Sequence, residues 1–326
     1  MIFHHFFGMY AVPMTDVLKE HLSNDVLFST CHSLAGLGKV CVLLFAFVTG
    51  YGYFVIIKKE TASTPVATRK RLCSFLPFCM FIVLIVYLLM LLFPTWLNLS
   101  IGNALLSCIG ASYIPDNWYM IVVLVTAAFY FPLLLLAYRK GENVHAFVFI
   151  LLNIVNYYLF PIYSRYNEIS FLKLFSVLEL TYTIPYFMLG YACRYAIDER
   201  SNAKYRILLV AVAILGAYLH SWRPLHLLLL AATILATHLI SIMPSKVVSC
   251  FVILGKFSAC MWLTHRLVFG YWFTTSIYEI PCPLNYIVVV VISLLLSIVI
   301  TKSWQFVNNY TKTRLNRHKK PSTSHV

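Results

Sequence analysis

Apolar stretches of about 20 residues recur along this chain, and a helical run of that length spans the hydrocarbon layer of a bilayer at about 1.5 Å per residue. Inside lipid a segment must satisfy its own backbone hydrogen bonds, which leaves the helix and the closed barrel as spanning structures. A barrel requires strands of about 10 residues that alternate polar and apolar. Runs such as Phe78 to Phe93 do not alternate. Only 11% of the 326 residues are charged and 61% are hydrophobic, against about 25% charged in a soluble domain. The fold class predicted is therefore all-α, a polytopic transmembrane helix bundle of about ten helices. The expected spans are 1–14, 34–57, 73–94, 118–138, 144–162, 174–193, 207–221, 225–243, 257–275 and 284–302.

The formal charge of +14 is explained by topology. Alternate connections carry Lys58, Lys59, Arg69, Lys70, Arg71, Arg139, Lys140, Arg194, Arg200, Lys204, Arg206, Lys246 and Lys256, followed by a basic tail from Lys302 to Lys320. The other set carries Lys19, Lys39, Arg165, Lys173 and Arg223 beside the acids Asp16, Glu20, Asp25, Asp116, Glu168 and Glu279. The positive-inside rule makes the first set, and the C-terminus, cytoplasmic. No loop interleaves basic and aromatic residues as a nucleic-acid surface does, so nucleic acid is not expected as a partner. Residues 1–302 read as one membrane domain and 303–326 as a disordered basic tail that lies against anionic membrane lipids.

Met1 to Met14 is short for a span and lacks a basic cap, so the reading expects either a start further upstream or a helix that enters the bilayer incompletely. The cysteines show no CxxC and no metal-ligand spacing, and no metal is expected. Most lie inside spans as small hydrophobes; Cys31, Cys108 and Cys282 lie in or near outer loops and leave one exoplasmic disulfide open.

Ionisable groups at bilayer depth are costly unless paired or hydrated, so each is a candidate site. His4 and His5 lie in MIFHHFFGMY, Glu179 in LFSVLELTYTIPYF, and His265 with Arg266 in ACMWLTHRLVF. His145 and His238 sit nearer helix ends, where snorkelling accounts for them. Histidine titrates near neutrality, with an ordinary pKa of about 6.5, and suits proton abstraction. Neighbouring helical residues point about 100° apart, so one of His4 and His5 faces a given cavity.

The order of these segments resembles the acyltransferase-3 family of multi-pass membrane O-acyltransferases, and the resemblance runs nearly end to end. MIFHHFF is similar to the family's His-bearing first helix. LLFAFVTGYGYF supplies Phe45, Phe47, Thr49, Gly50 and Tyr51 for FF-x-x-SG-[FY], with Thr replacing Ser. RLCSFLP supplies Arg71 and Pro77 for R-x-x-R-x-x-P, with Ser74 at the second Arg. NWYMIVVL, with Trp118 and Tyr119, resembles the aromatic helix start after the outer loop, and IPYFMLGYACR the apolar run ending at Gly190. LGKFSACMWLTHRLV, with Gly255, Lys256, Ser258, Trp262 and His265, resembles the late LGK-x-S-x-x-x-YLxH segment.

The resemblance implies an acyltransferase of the bacterial inner or plasma membrane. It would pass an acyl group, most simply acetyl, from cytoplasmic acetyl-CoA or another acyl-CoA to a sugar hydroxyl of a surface or exported glycan. It implies His5, or alternatively His4, as catalytic base, and Arg71 with Lys70 and Arg69 as the acyl-donor site. Thr49, Tyr51, Trp118, Tyr119, Glu179 and His265 would line the cavity or meet the acceptor. No bound cofactor is expected, since acyl-CoA is a substrate, and the oligomeric state is left open. The family places an Arg eleven residues before its first-helix His, and counting back from His5 passes Met1. The alternatives are thus a start upstream, a catalytically inactive relative, or a glycan-lipid transporter lined by Glu179, His265 and Arg266.

Overall fold

The computed structural model describes residues 6–7, 25–35, 38, 40–59, 64–92, 102, 119–165, 177–198, 201–219, 228, 230–232, 234–235, 238–239, 242–272 and 276–318. Among them there is no strand. After a helical turn at Phe6 and Phe7 come α1 (Val26–Ala35), α2 (Val40–Lys59) and α3 (Thr64–Leu92). Next are α4 (Tyr119–Val125), a π-helical turn (Thr126–Tyr130) and α5 (Phe131–Lys140), running on without a break. They are followed by α6 (Glu142–Arg165), α7 (Val177–Ala196), α8 (Ala203–Leu219), α9 (Ser245–Arg266), a second π-helical turn (Leu267–Trp272), α10 (Ser276–Glu279) and α11 (Leu284–His318).

Three described helices are long and apolar enough to cross a membrane, Val26–Lys59, Val122–Lys140 and Leu284–Thr311, with the bent Ser245–Ser258 and Cys260–Phe269 pair as a fourth. The all-helical membrane bundle is thus present, while the number ten is not established.

Local chemistry sets the helix ends. Asp25 Oδ1 accepts the Phe28 N–H at 2.9 Å, an N-cap that starts α1 inside the stretch read as a polar outer connection. Residues 64–72, also read as a loop, belong to α3. Gly141, at φ 108°, closes α5 in a backbone region glycine tolerates. Asn202 Oδ1 accepts the Lys204 N–H at 2.9 Å and opens α8. The largest departure is at the C-terminus, where α11 continues to His318 although disorder is expected from residue 303. Its last turns lie beyond the apolar part, so this section of the basic tail is a helical extension.

The largest core packs α2 and α7 against α5, α6 and α8. Hydrophobic burial does not favour helix association in lipid as it does in water, so close contact depends on small residues and interhelical hydrogen bonds. At the α2–α7 crossing a Cβ added to Gly50 would lie 1.8 Å from the Phe187 carbonyl oxygen, and one added to Gly190 would lie 1.9 Å from that of Phe47. The two backbones therefore touch, and only hydrogen fits at either position. A second core joins α3, α9 and α11, where Thr264 and Ser297 hydroxyls meet at 3.4 Å. The third gathers Phe6 and Phe7 with α1, the second π turn, α10 and α11.

Several basic connections share one end of the bundle. Lys58, in the last turn of α2, pairs with Asp198 beyond α7 at 2.7 Å. Glu142, at the start of α6, accepts the Asn202 N–H at 2.9 Å and the Tyr195 hydroxyl at 3.2 Å. Asn143 accepts the Tyr205 hydroxyl. These bonds bring together the connections after α2, α5 and α7, as alternation of sides requires.

Candidate functional site

The candidate site lies where the N-terminal turn meets the second π-helical turn, which continues α9. In α9, Gly255 leaves space on its face, and the Ser258 hydroxyl bonds the Gly255 carbonyl at 2.8 Å. A glycine and serine close together weaken a helix, and a hydroxyl competing for a carbonyl bends it. The arms Ser245–Ser258 and Cys260–Phe269 diverge by 55°. Val252 to Lys256 are exposed, whereas Trp262, Leu263, Thr264 and His265 are buried. The Gly and Ser of the late motif thus turn its Trp and His into the bundle.

His265 is fully buried. Its Nδ1 lies 3.2 Å from the Met261 carbonyl oxygen and 2.5 Å from that of Trp262. Carbonyl oxygens only accept, so in the neutral ring Nδ1 carries the proton and Nε2 keeps the lone pair. The backbone thereby fixes the tautomer of a buried imidazole. On one side its ring meets Phe269 at 5.8 Å.

Phe269 also meets Phe6 edge-on at 5.5 Å. Phe6 is fully buried and stacks on Tyr278 at 5.0 Å and 15°. The Tyr278 hydroxyl donates to the Phe6 carbonyl at 3.0 Å, and His32 Nδ1 donates to the Phe7 carbonyl at 2.5 Å. These two bonds, from α10 and α1, hold the turn that follows His5 against the wall containing Phe269 and His265. His4 and His5 themselves lie outside the described residues. So do Trp118 and the side chains of Arg69, Lys70, Arg71, Tyr119, Glu179 and Arg266; the helical backbone at Arg69–Arg71 lies in the first turns of α3.

Of the remaining cavity candidates, Thr49 donates its hydroxyl to the Phe45 carbonyl of its own helix at 2.7 Å. Tyr51 lies under the Arg194 guanidinium, 5.6 Å from the ring centroid. Phe45 stacks on Trp262 at 5.7 Å and 12°, which joins the α2 motif to the α9 motif. Gly50 acts in packing, as described above.

His145 requires correction. It does not snorkel: it is 1% exposed, and its Nε2 shares a hydrogen bond with the Tyr191 hydroxyl at 2.8 Å. Its ring packs against Tyr138 and Tyr195. His238, by contrast, is exposed. Sequence reasoning also missed the Arg194–Tyr51 stack. Arg194 counts as one more topology signal in the sequence, and only its position one helical turn past Gly190, where α7 touches α2, distinguishes it.

At the opposite end, Cys31 and Cys282 are free thiols. Burial, with Cys31 and Asp25 as lesser causes, pushes the Cys282 thiol up to about 11. Cys108 lies outside the described residues. No group of three metal-ligating side chains occurs among the described residues.

A family model described as an acyltransferase domain matches residues 1–302. Neither the curated proteins nor the solved structures provide a match.

Proposed function

The chain belongs to the acyltransferase-3 family of membrane acyltransferases, and on that premise we propose that it O-acylates a sugar hydroxyl of a cell-surface or exported glycan. The donor is a cytoplasmic acyl-CoA, most simply acetyl-CoA. The observation that carries the proposal is the family match over 1–302, which includes every segment quoted for the resemblance. Its geometric support is the clamp on Phe6 and Phe7, which ties the turn after His5 into the bundle beside the wall of His265.

A sugar hydroxyl is far too weak an acid to ionise at neutral pH, so its proton must leave as its oxygen attacks the thioester carbonyl. In the proposed reaction a neutral imidazole, His5 with His4 as the alternative, accepts that proton. The new O–C bond forms, the C–S bond breaks, and the imidazolium returns the proton to the departing thiolate. The products are the ester and free thiol. Arg71, with Arg69 and Lys70, is assigned to the donor's phosphates. The three are consecutive in α3 and fan over about 200°, so at most two serve one phosphate. Thr49, Tyr51, Trp118, Tyr119, Glu179 and His265 remain candidates for the cavity or acceptor path. The placement is proposed as a bacterial inner membrane, with the C-terminus cytoplasmic.

Replacing His4 and His5 together with Ala is expected to lower O-acylation about 10²- to 10⁴-fold, the contribution of a general base, while membrane insertion persists. Mass analysis of surface glycans from cells carrying each variant measures it, and undiminished modification refutes the assignment. Arg71→Ala is expected to raise the KM for the acyl donor more than that for the acceptor; equal effects in a membrane assay count against the phosphate role.

The transporter alternative calls for paired broken helices. Among the described residues the bent pair in α9 is single, and the Gly255–Ser258 pair accounts for it.

A further inference from the structure

A cavity of 470 Å³ opens on the outside of the bundle where α7 ends and α8 begins. Ala196 and Ala203 line it with small side chains. Arg206 lines it too, and Ile207, Val210 and Ile214 continue the lining along α8. From Arg206 to Ile214 the helix rises about 12 Å. A cation at the top and a hydrocarbon wall below reproduce the vertical order of a lipid, headgroup first and acyl chain beneath.

Among the described residues the cation has no ion-pair partner, and Arg206 Nε is buried without a hydrogen bond. The nearby described carboxylates are committed elsewhere: Asp198 pairs with Lys58 at 2.7 Å, and Glu142 holds Asn202 and Tyr195. Lys204, exposed two residues earlier, adds to the positive field. Ile207 is 72% exposed and Ile214 49%, so in this membrane protein the wall faces acyl chains. An unpaired guanidinium whose Nε is shut off from solvent, above an apolar groove, complements a phosphate that carries hydrocarbon.

We propose that this cavity binds an anionic phospholipid of the surrounding leaflet, with its phosphate on Arg206 and one acyl chain along Ile207, Val210 and Ile214. The site is separate from the acyl-transfer site and does not depend on the assignment of that activity.

The test is native mass spectrometry of the full-length protein, released from nanodiscs of equal parts phosphatidylglycerol and phosphatidylcholine. Wild type is expected to retain one phosphatidylglycerol in preference to phosphatidylcholine, and Arg206→Gln to lose about fivefold of that preference, the effect of one cation at the surface. Lys204→Gln, further from the groove, is expected to lose less. Ile207→Trp, at an exposed position that leaves the fold intact, is expected to reduce retention by filling the groove, and it keeps the test open if Arg206→Gln does not fold. Equal retention of the two lipids by wild type overturns the proposal, as does unchanged selectivity in both Arg206→Gln and Ile207→Trp. Displacement of phosphatidylglycerol by an equimolar polyprenyl phosphate also overturns it, by identifying a different occupant.

Discussion

Lys58 and Asp198 are unequal partners, one 30% exposed and the other 6%. Removing the lysine takes its 2.7 Å ion-pair partner from a carboxylate that is almost wholly buried, whereas removing both takes the buried charge away as well. Lys58→Met is therefore expected to cost about 2 kcal/mol, and Lys58→Met with Asp198→Leu distinctly less, as read by thermal unfolding in detergent. An additive double variant would show that the two do not act as a pair. At this scale the sequence was informative about type and poor about partner. His265 stood out because histidine is rare at bilayer depth, but nothing in ACMWLTHRLVF says that two backbone carbonyls hold its Nδ1. His145 looked interfacial because it lies near a helix end, yet burial depends on neighbours, and Tyr191 arrives from a helix 46 residues further on.

Helices α2 and α7 meet through their glycines, and the contact makes a sharp distinction among three similar substitutions. Gly50→Ala and Gly190→Ala drive a methyl into a facing carbonyl oxygen, so the helices must separate, at about 3 kcal/mol. Gly52→Ala meets nothing within 4 Å and is expected to be neutral or to gain about 0.5–1 kcal/mol of helix propensity. Comparing the three melting temperatures in detergent checks this; equal behaviour of Gly50 and Gly52 would dismiss the crossing. Gly50 was readable in the TGY of α2 because small residues mark close helix contact. The kink in α9 was less so: Gly255 and Ser258 were visible, but only the structure joins their hydrogen bond to the inward turn at Trp262. Helix α1 escaped notice because the spacing of polar residues around it resembles a loop, and its signal was the single cap at Asp25.

At the scale of the whole molecule, alternating charge along the sequence corresponds to one shared end, since Lys58, Glu142, Asp198 and Asn202 are linked there. In a background without native cysteines, Cys at the exposed positions Lys59, Lys140 and Lys204 is expected to react with a membrane-impermeant thiol reagent only from the cytoplasmic side. Cys at exposed Glu279 is expected to react only from outside. Labelling of the first three from opposite faces would refute the shared orientation. Membrane class and helical fold were legible because lipid allows few backbone solutions; the span count was not, because hydropathy does not reveal where a helix bends or continues past the apolar zone, as α9 and α11 do. The glycine crossing also bears on how the protein is made. Gly190 lies 131 residues after Lys59, so at about 5–20 residues per second α2 spends on the order of ten seconds in the bilayer before α7 leaves the ribosome. During synthesis its bare glycine stripe must be sheltered by lipid or by the insertion machinery, and the largest core closes only late.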